Sequence, residues 1–412
     1  MRCLTIAFLT GITATAGVAW MEDTAHACGG CFVPPNEVTA VDSHRMVIAL
    51  GAEETVLWDQ IVYSGDPAEF VWVLPVPSPD VVIETSNNEF FNELDTRTAP
   101  SISPANAPPF CASAQSAACG AADAASDVPF QPQDGVTVFD HGVVGPYETV
   151  TLGAEDPDNL YNWLDGNGFA ITQDAVPAME HYIGLQYAFV ILRLAPGEDA
   201  DAMEPVRVRY PGFMGNFPLK MVVVGAQGVL DLAVWVIAEQ RYDSQNYPTL
   251  LIPQDELAWD WDTSTSNYSE LFDNAVERDG LSRAWVTEFA GNFNDLFIPN
   301  STETAADLEI IQGNVPVPYI TRLRTRMLVD NIDEDMILGP SEYTGDLSNF
   351  LTAFVDVNYP EIDCNNQAGD DDSVYCRLGA GSGRDAAFLG LVMILGLLAV
   401  FRTRSFRRRE ED

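Results

Sequence analysis

Lysine is nearly missing from this chain. Lys220 is the only one, against nineteen arginines. Histidine is scarce as well, with four in 412 residues. Basic residues number 20 against 61 acidic ones, a formal net charge of −41. Nucleic acids and anionic lipid headgroups are held by clustered Lys and Arg that displace counterions, so this balance argues against both as partners. It suits solubility in salty water, divalent cations or basic partners. The retained arginine points to a GC-rich or salt-adapted source rather than to a function.

Catalytic signatures are equally absent. There is no G-x-S-x-G, no H-E-x-x-H, no phosphate loop and no G-x-G-x-x-G. His44, His141 and His181 are not spaced with a cysteine pair for zinc. No metal, no cofactor and no catalytic residue is implied. There is no internal repeat and no βαβ rhythm.

Long apolar runs are confined to the two ends. Met1–Ala27 has a signal-peptide layout: Arg2, an apolar stretch from Leu4 to Trp20, and Ala25-His26-Ala27 as an A-x-A site. Cleavage between Ala27 and Cys28 would start the mature chain at Cys28. A lipobox would carry Leu and a small residue where Ala25 and His26 stand, so ordinary signal peptidase is expected. The second run, Ala386–Phe401, has sixteen residues without a charge. That is near the lower limit of about 17 residues for a membrane helix. Arg402, Arg404, Arg407, Arg408 and Arg409 follow it, which orients residues 402–412 to the cytoplasm and the rest outside. Without the two ends, 56 acidic and 14 basic residues remain, near −42.

The expected layout is therefore a signal peptide (1–27), an extracytoplasmic domain (28–365), an acidic spacer (366–385) with Asp370, Asp371 and Asp372, and a single transmembrane helix (386–401). The cell envelope is the expected location. Residues 101–132 read as an Ala/Ser/Pro insert within the domain.

Cys3 leaves with the signal. The other six cysteines form close pairs: Cys28/Cys31, Cys111/Cys119 and Cys364/Cys376. Outside the cytoplasm they read as a disulfide set, most simply paired locally, though spacing leaves the connectivity open. Cys28-Gly29-Gly30-Cys31 also reads as a redox dithiol. Such sites open a helix, however, and Phe32-Val33-Pro34-Pro35 does not.

Turn residues divide the domain into short elements. Strands are expected over Arg45–Leu50, Thr55–Tyr63, Phe70–Val76, Val136–Phe139, Tyr147–Leu152, Tyr187–Leu194, Val206–Tyr210, Met221–Val224, Leu230–Ala238 and Tyr319–Val329. Helices are expected over Asn87–Thr96 (capped by Ser86 or Asn87), Pro157–Leu164, Ala178–Gln186 and Glu270–Glu288. The fold class is α+β: mainly antiparallel sheet with short helices, plus the membrane helix.

Arg322, Arg324 and Arg326 alternate, so an extended strand puts all three on one face. They would either clamp an anion or pair with nearby acids; the surplus of carboxylates favours pairing. Asn331 to Glu342 imitates a calcium loop but has Met336 where the tight turn needs glycine, which favours an acidic surface loop.

Four motifs in order resemble one family of exported bacterial proteins, a domain of unknown function. They are Ala27–Gly30, Phe70–Pro77 (FVWVLPVP), Trp163–Phe169 leading into Ala188–Leu194, and Tyr319–Thr325 (YITRLRT). The resemblance covers Cys28–Ser341 and implies no catalytic residues. The tail resembles MYXO-CTERM sorting tails, which implies Cys376 as a processing point; Cys364 would then lose its partner.

The leading expectation is a non-enzymatic, membrane-anchored envelope domain with a protein or glycan partner. The rivals are an envelope hydrolase using unmarked carboxylates and a thiol redox protein using Cys28 and Cys31. Thiol titration of the native protein is expected to find both of these cysteines locked. Two thiols that open under mild reductant would instead favour redox work.

Overall fold

The computed structural model describes residues 31–32, 44–61, 71–105, 135–169, 171, 173–198, 202–224, 228–279 and 282–358. The chain divides into residues 1–357 and 358–412. The expected signal peptide, Ala27/Cys28 cleavage site, most of the insert, spacer and membrane helix lie outside the described residues.

The first half runs β1 (Cys31–Phe32), β2 (His44–Leu50), β3 (Glu54–Ile61), β4 (Val71–Val76), β5 (Val82–Thr85), α1 (Asn88–Thr98), β6 (Ser101–Pro104), β7 (Val136–Val144), β8 (Tyr147–Ala154), α2 (Pro157–Gly166), α3 (Val176–Gly184) and β9 (Ala188–Leu194). Then come β10 (Val206–Pro211), β11 (Asn216–Phe217), α4 (Leu219–Val222), β12 (Val229–Ala238), β13 (Tyr242–Ser244), β14 (Thr249–Leu250), β15 (Ala258–Asp260), β16 (Thr265–Ser266) and α5 (Tyr268–Val276). The last are β17 (Trp285–Asn292), α6 (Ala305–Asn314), β18 (Tyr319–Leu328), β19 (Met336–Pro340), β20 (Phe350–Ala353) and β21 (Val355–Val357).

Two sheets dominate. One has five strands in the order β1-β4-β9-β8-β7, the other eight in the order β14-β17-β18-β12-β2-β3-β10-β5. Pairing within them is antiparallel except for β2/β12 and β14/β17. Met46, Ile48, Leu57, Val234 and Leu323 of the large sheet meet Trp72, Leu74, Val190 and Leu192 of the smaller one in a shared core. The far face of the smaller sheet packs Phe189 and Ile191 on Leu160, Trp163, Met179 and Tyr182 of α2 and α3. The far face of the large sheet packs Val47, Trp58 and Trp235 on Phe90, Phe91 and Leu94 of α1 and on Leu308 and Ile311 of α6. The result is four layers, helix–sheet–sheet–helix, in the expected α+β class. Because both faces are covered, β2, β4 and β12 read as continuous apolar runs rather than alternating ones.

On its helix-covered face the large sheet carries one row of directly opposed residues: Phe289, Arg322, Trp235, Val47, Trp58, Arg207 and Glu84. Two arginines thus flank two fully buried tryptophans, and each Arg–Trp pair holds one helix. Trp235 donates its indole N–H to Thr98 of α1 at 2.8 Å, while Arg322 reaches Asp95 of α1. Trp58 donates to Asp307 of α6 at 2.7 Å, and Arg207 pairs with the same carboxylate. Ser86 donates its hydroxyl to the other oxygen of that carboxylate at 2.7 Å. Asn87 caps α1 by accepting the Glu89 N–H at 2.9 Å.

Three expectations need correction. Met221–Val224 is not a strand: the apolar run forms the helical turn α4, because a short buried run carries no period to separate the two. Glu270–Glu288 is not one helix. α5 ends at Val276, and Trp285–Asn292 is strand β17, paired with β18. Sheet pairing there overrides a helical spacing that spans Gly280. Residues 101–104 are not linker but strand β6, parallel to β20.

Asp307→Ala would leave Arg207 and the Trp58 N–H without their buried acceptor. It is expected to lower the unfolding free energy by about 3 kcal/mol, read as an earlier urea midpoint.

Candidate functional site

A groove of about 1140 Å³ opens at one end of the large sheet. It lies beyond the carboxyl ends of the parallel neighbours β2 and β12, where Leu50 and Ala238 line it. Here the hairpin β2–β3 forms one wall and the C-terminal turn of α6 another.

Close approach of these walls depends on Gly51. A Cβ at that position would stand 2.0 Å from the Asn314 side-chain oxygen and 2.7 Å from its carbonyl. The Asn314 amide in turn donates to the Ala49 carbonyl at 3.3 Å. A third wall carries Phe213. Thr55 fixes that loop by donating its hydroxyl to the Gly212 carbonyl at 2.8 Å and accepting the Met214 N–H at 2.9 Å. Gly212 itself has φ +90°, open to glycine and costly for other residues. The Phe213 ring is 51 % exposed and meets Tyr242 at 6.5 Å between centroids.

Four glutamates, Glu53, Glu54, Glu239 and Glu309, line the groove beside one arginine, Arg209. Arg209 is bound to Glu54 at 3.1 Å and lies 3.9 Å from Glu84. That leaves Glu53, Glu239 and Glu309 with no ion pair among the described residues. The C-terminal end of α6 adds the negative pole of its dipole. Burial, with the Glu239 charge behind it, pushes the Tyr242 phenol up from its ordinary pKa. Cations are favoured here and anions are not.

Arg322, Arg324 and Arg326 lie elsewhere, on the helix-covered face of the same sheet. Arg322 is sandwiched between the Trp235 ring at 5.0 Å and the carboxylates of Glu288 at 2.7 Å and Asp95 at 2.5 Å. Glu288 sits at the bulge of β17 between Thr287 and Phe289, and its side chain is fully buried. The irregularity turns the carboxylate toward Arg322, as bulges re-aim side chains. Tyr268 also donates to Glu288 at 2.9 Å, and burial followed by that carboxylate pushes its phenol well up. Arg324 makes a two-pronged contact with Asp231 at 3.1 and 2.9 Å and lies over Phe272. Burial works against its charge, but Asp231 and Glu288 outweigh it and hold the pKa above its usual value. Arg326 shares Asp231 at 3.2 Å and takes Asp273 at 2.6 Å.

The Asn331–Glu342 loop divides. Asp333 is exposed, but Asp335 is buried and its carboxylate accepts from Tyr182 at 2.6 Å, the Lys220 backbone N–H at 3.0 Å and Asn216 at 3.1 Å. It ties α3, α4 and β11 together instead of facing solvent as an acidic surface loop would. Among the described residues no three His, Cys, Asp or Glu side chains are grouped to hold a metal ion. Cys31 belongs to β1, opposite Trp72. Cys28, Cys111, Cys119, Cys364 and Cys376 lie outside the described residues. No helix among the described residues is long and apolar enough to cross a membrane.

Sequence reasoning found none of the groove. Its walls come from residues 50–54, 209–213, 238–242 and 309–316, and only the fold unites them.

A family of uncharacterised proteins conserved in bacteria, DUF2330, matches residues 23–337. The chain belongs to this family. No curated protein and no solved structure matches it. The family span holds the groove, the Arg–Trp row and the arginine strand together.

Arg322→Ala takes the close cation from the buried Glu288, leaving it the Tyr268 hydroxyl and Arg324 at 3.8 Å, and is expected to cost roughly 3 kcal/mol of stability. Arg326→Ala removes two partly exposed pairs, with Asp231 and Asp273, and is expected to cost about 1 kcal/mol or less. Equal effects in urea melts would contradict the division of roles.

Proposed function

We propose that the chain is an exported binding domain, tethered to a membrane by the apolar run 386–401, whose groove takes a basic, aromatic-containing segment of an envelope or extracellular protein. The observation behind this reading is the groove itself: three glutamates without an ion pair among the described residues, beside the exposed Phe213 and the partly buried Tyr242. Carboxylates select a cationic side chain, and the rings offer a face to its aliphatic stem or guanidinium. A neutral glycan has no charge for these carboxylates to meet. The tether supports the reading because the run ends in an arginine cluster and is preceded by an acidic spacer.

A labelled peptide alternating arginine and tryptophan tests it by fluorescence anisotropy on the full chain in detergent. Glu53→Gln/Glu239→Gln/Glu309→Gln is expected to weaken binding about tenfold and to flatten its salt dependence. The same change at Glu155, Glu270 and Glu277 is expected to leave the affinity within about twofold. Equal losses in both triple variants would reduce the binding to general charge and overturn the groove as the site.

A further inference from the structure

At the end of the described domain, several apolar side chains stand in solvent. Leu351 and Ala353 of β20 are buried with Leu257 in a small core, and alternation turns Phe350 and Phe354 outward. They are 76 % and 65 % exposed, and Val355 and Val357 of β21 are exposed after them. Phe297 joins this surface from another part of the chain. Arg97 donates to the Leu296 carbonyl at 2.9 Å, and the Asn349 amide donates to the Arg97 and Ala99 carbonyls at 3.1 and 2.9 Å. The residues just before Phe297 and Phe350 thus both meet the C-terminal turn of α1.

Phe297 is 78 % exposed and has φ 51° and ψ 43°, left-handed backbone that a bulky residue adopts only at a cost. Folding would gain by placing glycine or asparagine there. Instead, an aromatic ring is held out to water in a strained turn. In a chain carrying −41, such a group of exposed aromatic side chains is an exception.

We infer that this surface docks on a zwitterionic lipid bilayer. The inference rests on the membrane tether proposed above. About 28 residues separate Val357 from the apolar run at Ala386. A stretch of that length reaches at most about 100 Å even when fully extended. Phe350, Phe354, Val355 and Val357 are thus the part of the domain where the tether begins, held at an effective concentration near the millimolar range against the bilayer. At that concentration a few aromatic side chains suffice, since phenylalanine gains free energy on leaving water for the interface. Asp356, which accepts from Trp261 at 2.9 Å, and the acidity of the whole domain repel anionic headgroups. A net-neutral leaflet is the surface that fits.

Photo-crosslinking of the full chain in phosphatidylcholine vesicles tests this, with Phe350→p-benzoylphenylalanine as the probe. Irradiation is expected to attach lipid at position 350, and not in a second preparation probed at position 213 in the groove. Adding Phe297→Asn and Phe354→Ser is expected to lower the lipid adduct tenfold or more, since each lost aromatic anchor accounts for about a tenfold change. The unfolding midpoint should hold, because these side chains are exposed. A chain that alkaline carbonate strips from the vesicles overturns the tether and the inference together. A chain that resists carbonate yet gives no lipid adduct, or crosslinks to a second copy instead, overturns the inference alone.

Discussion

Arg322, Trp235, Trp58 and Arg207 lie in one register row across the large sheet, and the outer helical layer hangs from them. The row solves a problem set by coverage. In a sheet buried on both faces an unanswered guanidinium or indole N–H is costly, about 1–3 kcal/mol for an unpaired buried polar group and more for a charge. Most acceptors that answer them come from a helix or a bulge, Asp95 and Thr98 from α1, Asp307 from α6 and Glu288 from β17, while Glu84 of strand β5 also meets Arg207 at 3.1 Å. Satisfying the sheet therefore also positions the helices. In a chain with one lysine and nineteen arginines, this is where several of the few positive charges go.

The groove follows from the same arrangement. α6 is fixed by Asp307 near its start, so its C-terminal turn arrives over the end of β2, where Gly51 leaves room for Asn314. The parallel neighbours β2 and β12 both end at that edge. Positive charge drawn into the sheet interior leaves the groove's glutamates largely unopposed, with Arg209 alone beside Glu54. Negative potential in the groove is thus the counterpart of cation placement on the sheet.

How much of this could be read beforehand depends on distance along the chain. The strands at Arg45–Leu50, Leu230–Ala238 and Tyr319–Val329 were legible because β-branched and apolar residues cluster between turn residues. The shared face of Arg322, Arg324 and Arg326 followed from alternation alone. Their partners did not, since Asp95 is 227 residues away from Arg322 and nothing local distinguishes it among the acids. Where local pattern and sheet pairing disagreed, pairing won: Trp285 to Glu288 have helical spacing with α5 but complete the edge of β18. The groove was illegible for the same reason as the ion pairs, being assembled from four separated segments.

Net charge and local charge have different reach here. The Debye length near physiological salt is about 8 Å, so a ligand inside the groove senses Glu53, Glu239 and Glu309 but little of the remaining acidic surface. The overall −41 therefore sets solubility and the sign of non-specific encounters, while recognition has to come from the few side chains at contact distance. The same screening lets uncharged rings at Phe297, Phe350 and Phe354 act independently of the acids beyond their own neighbourhood. A strongly acidic protein can in this way carry one cation-selecting cleft and one apolar face without either being masked by its total charge.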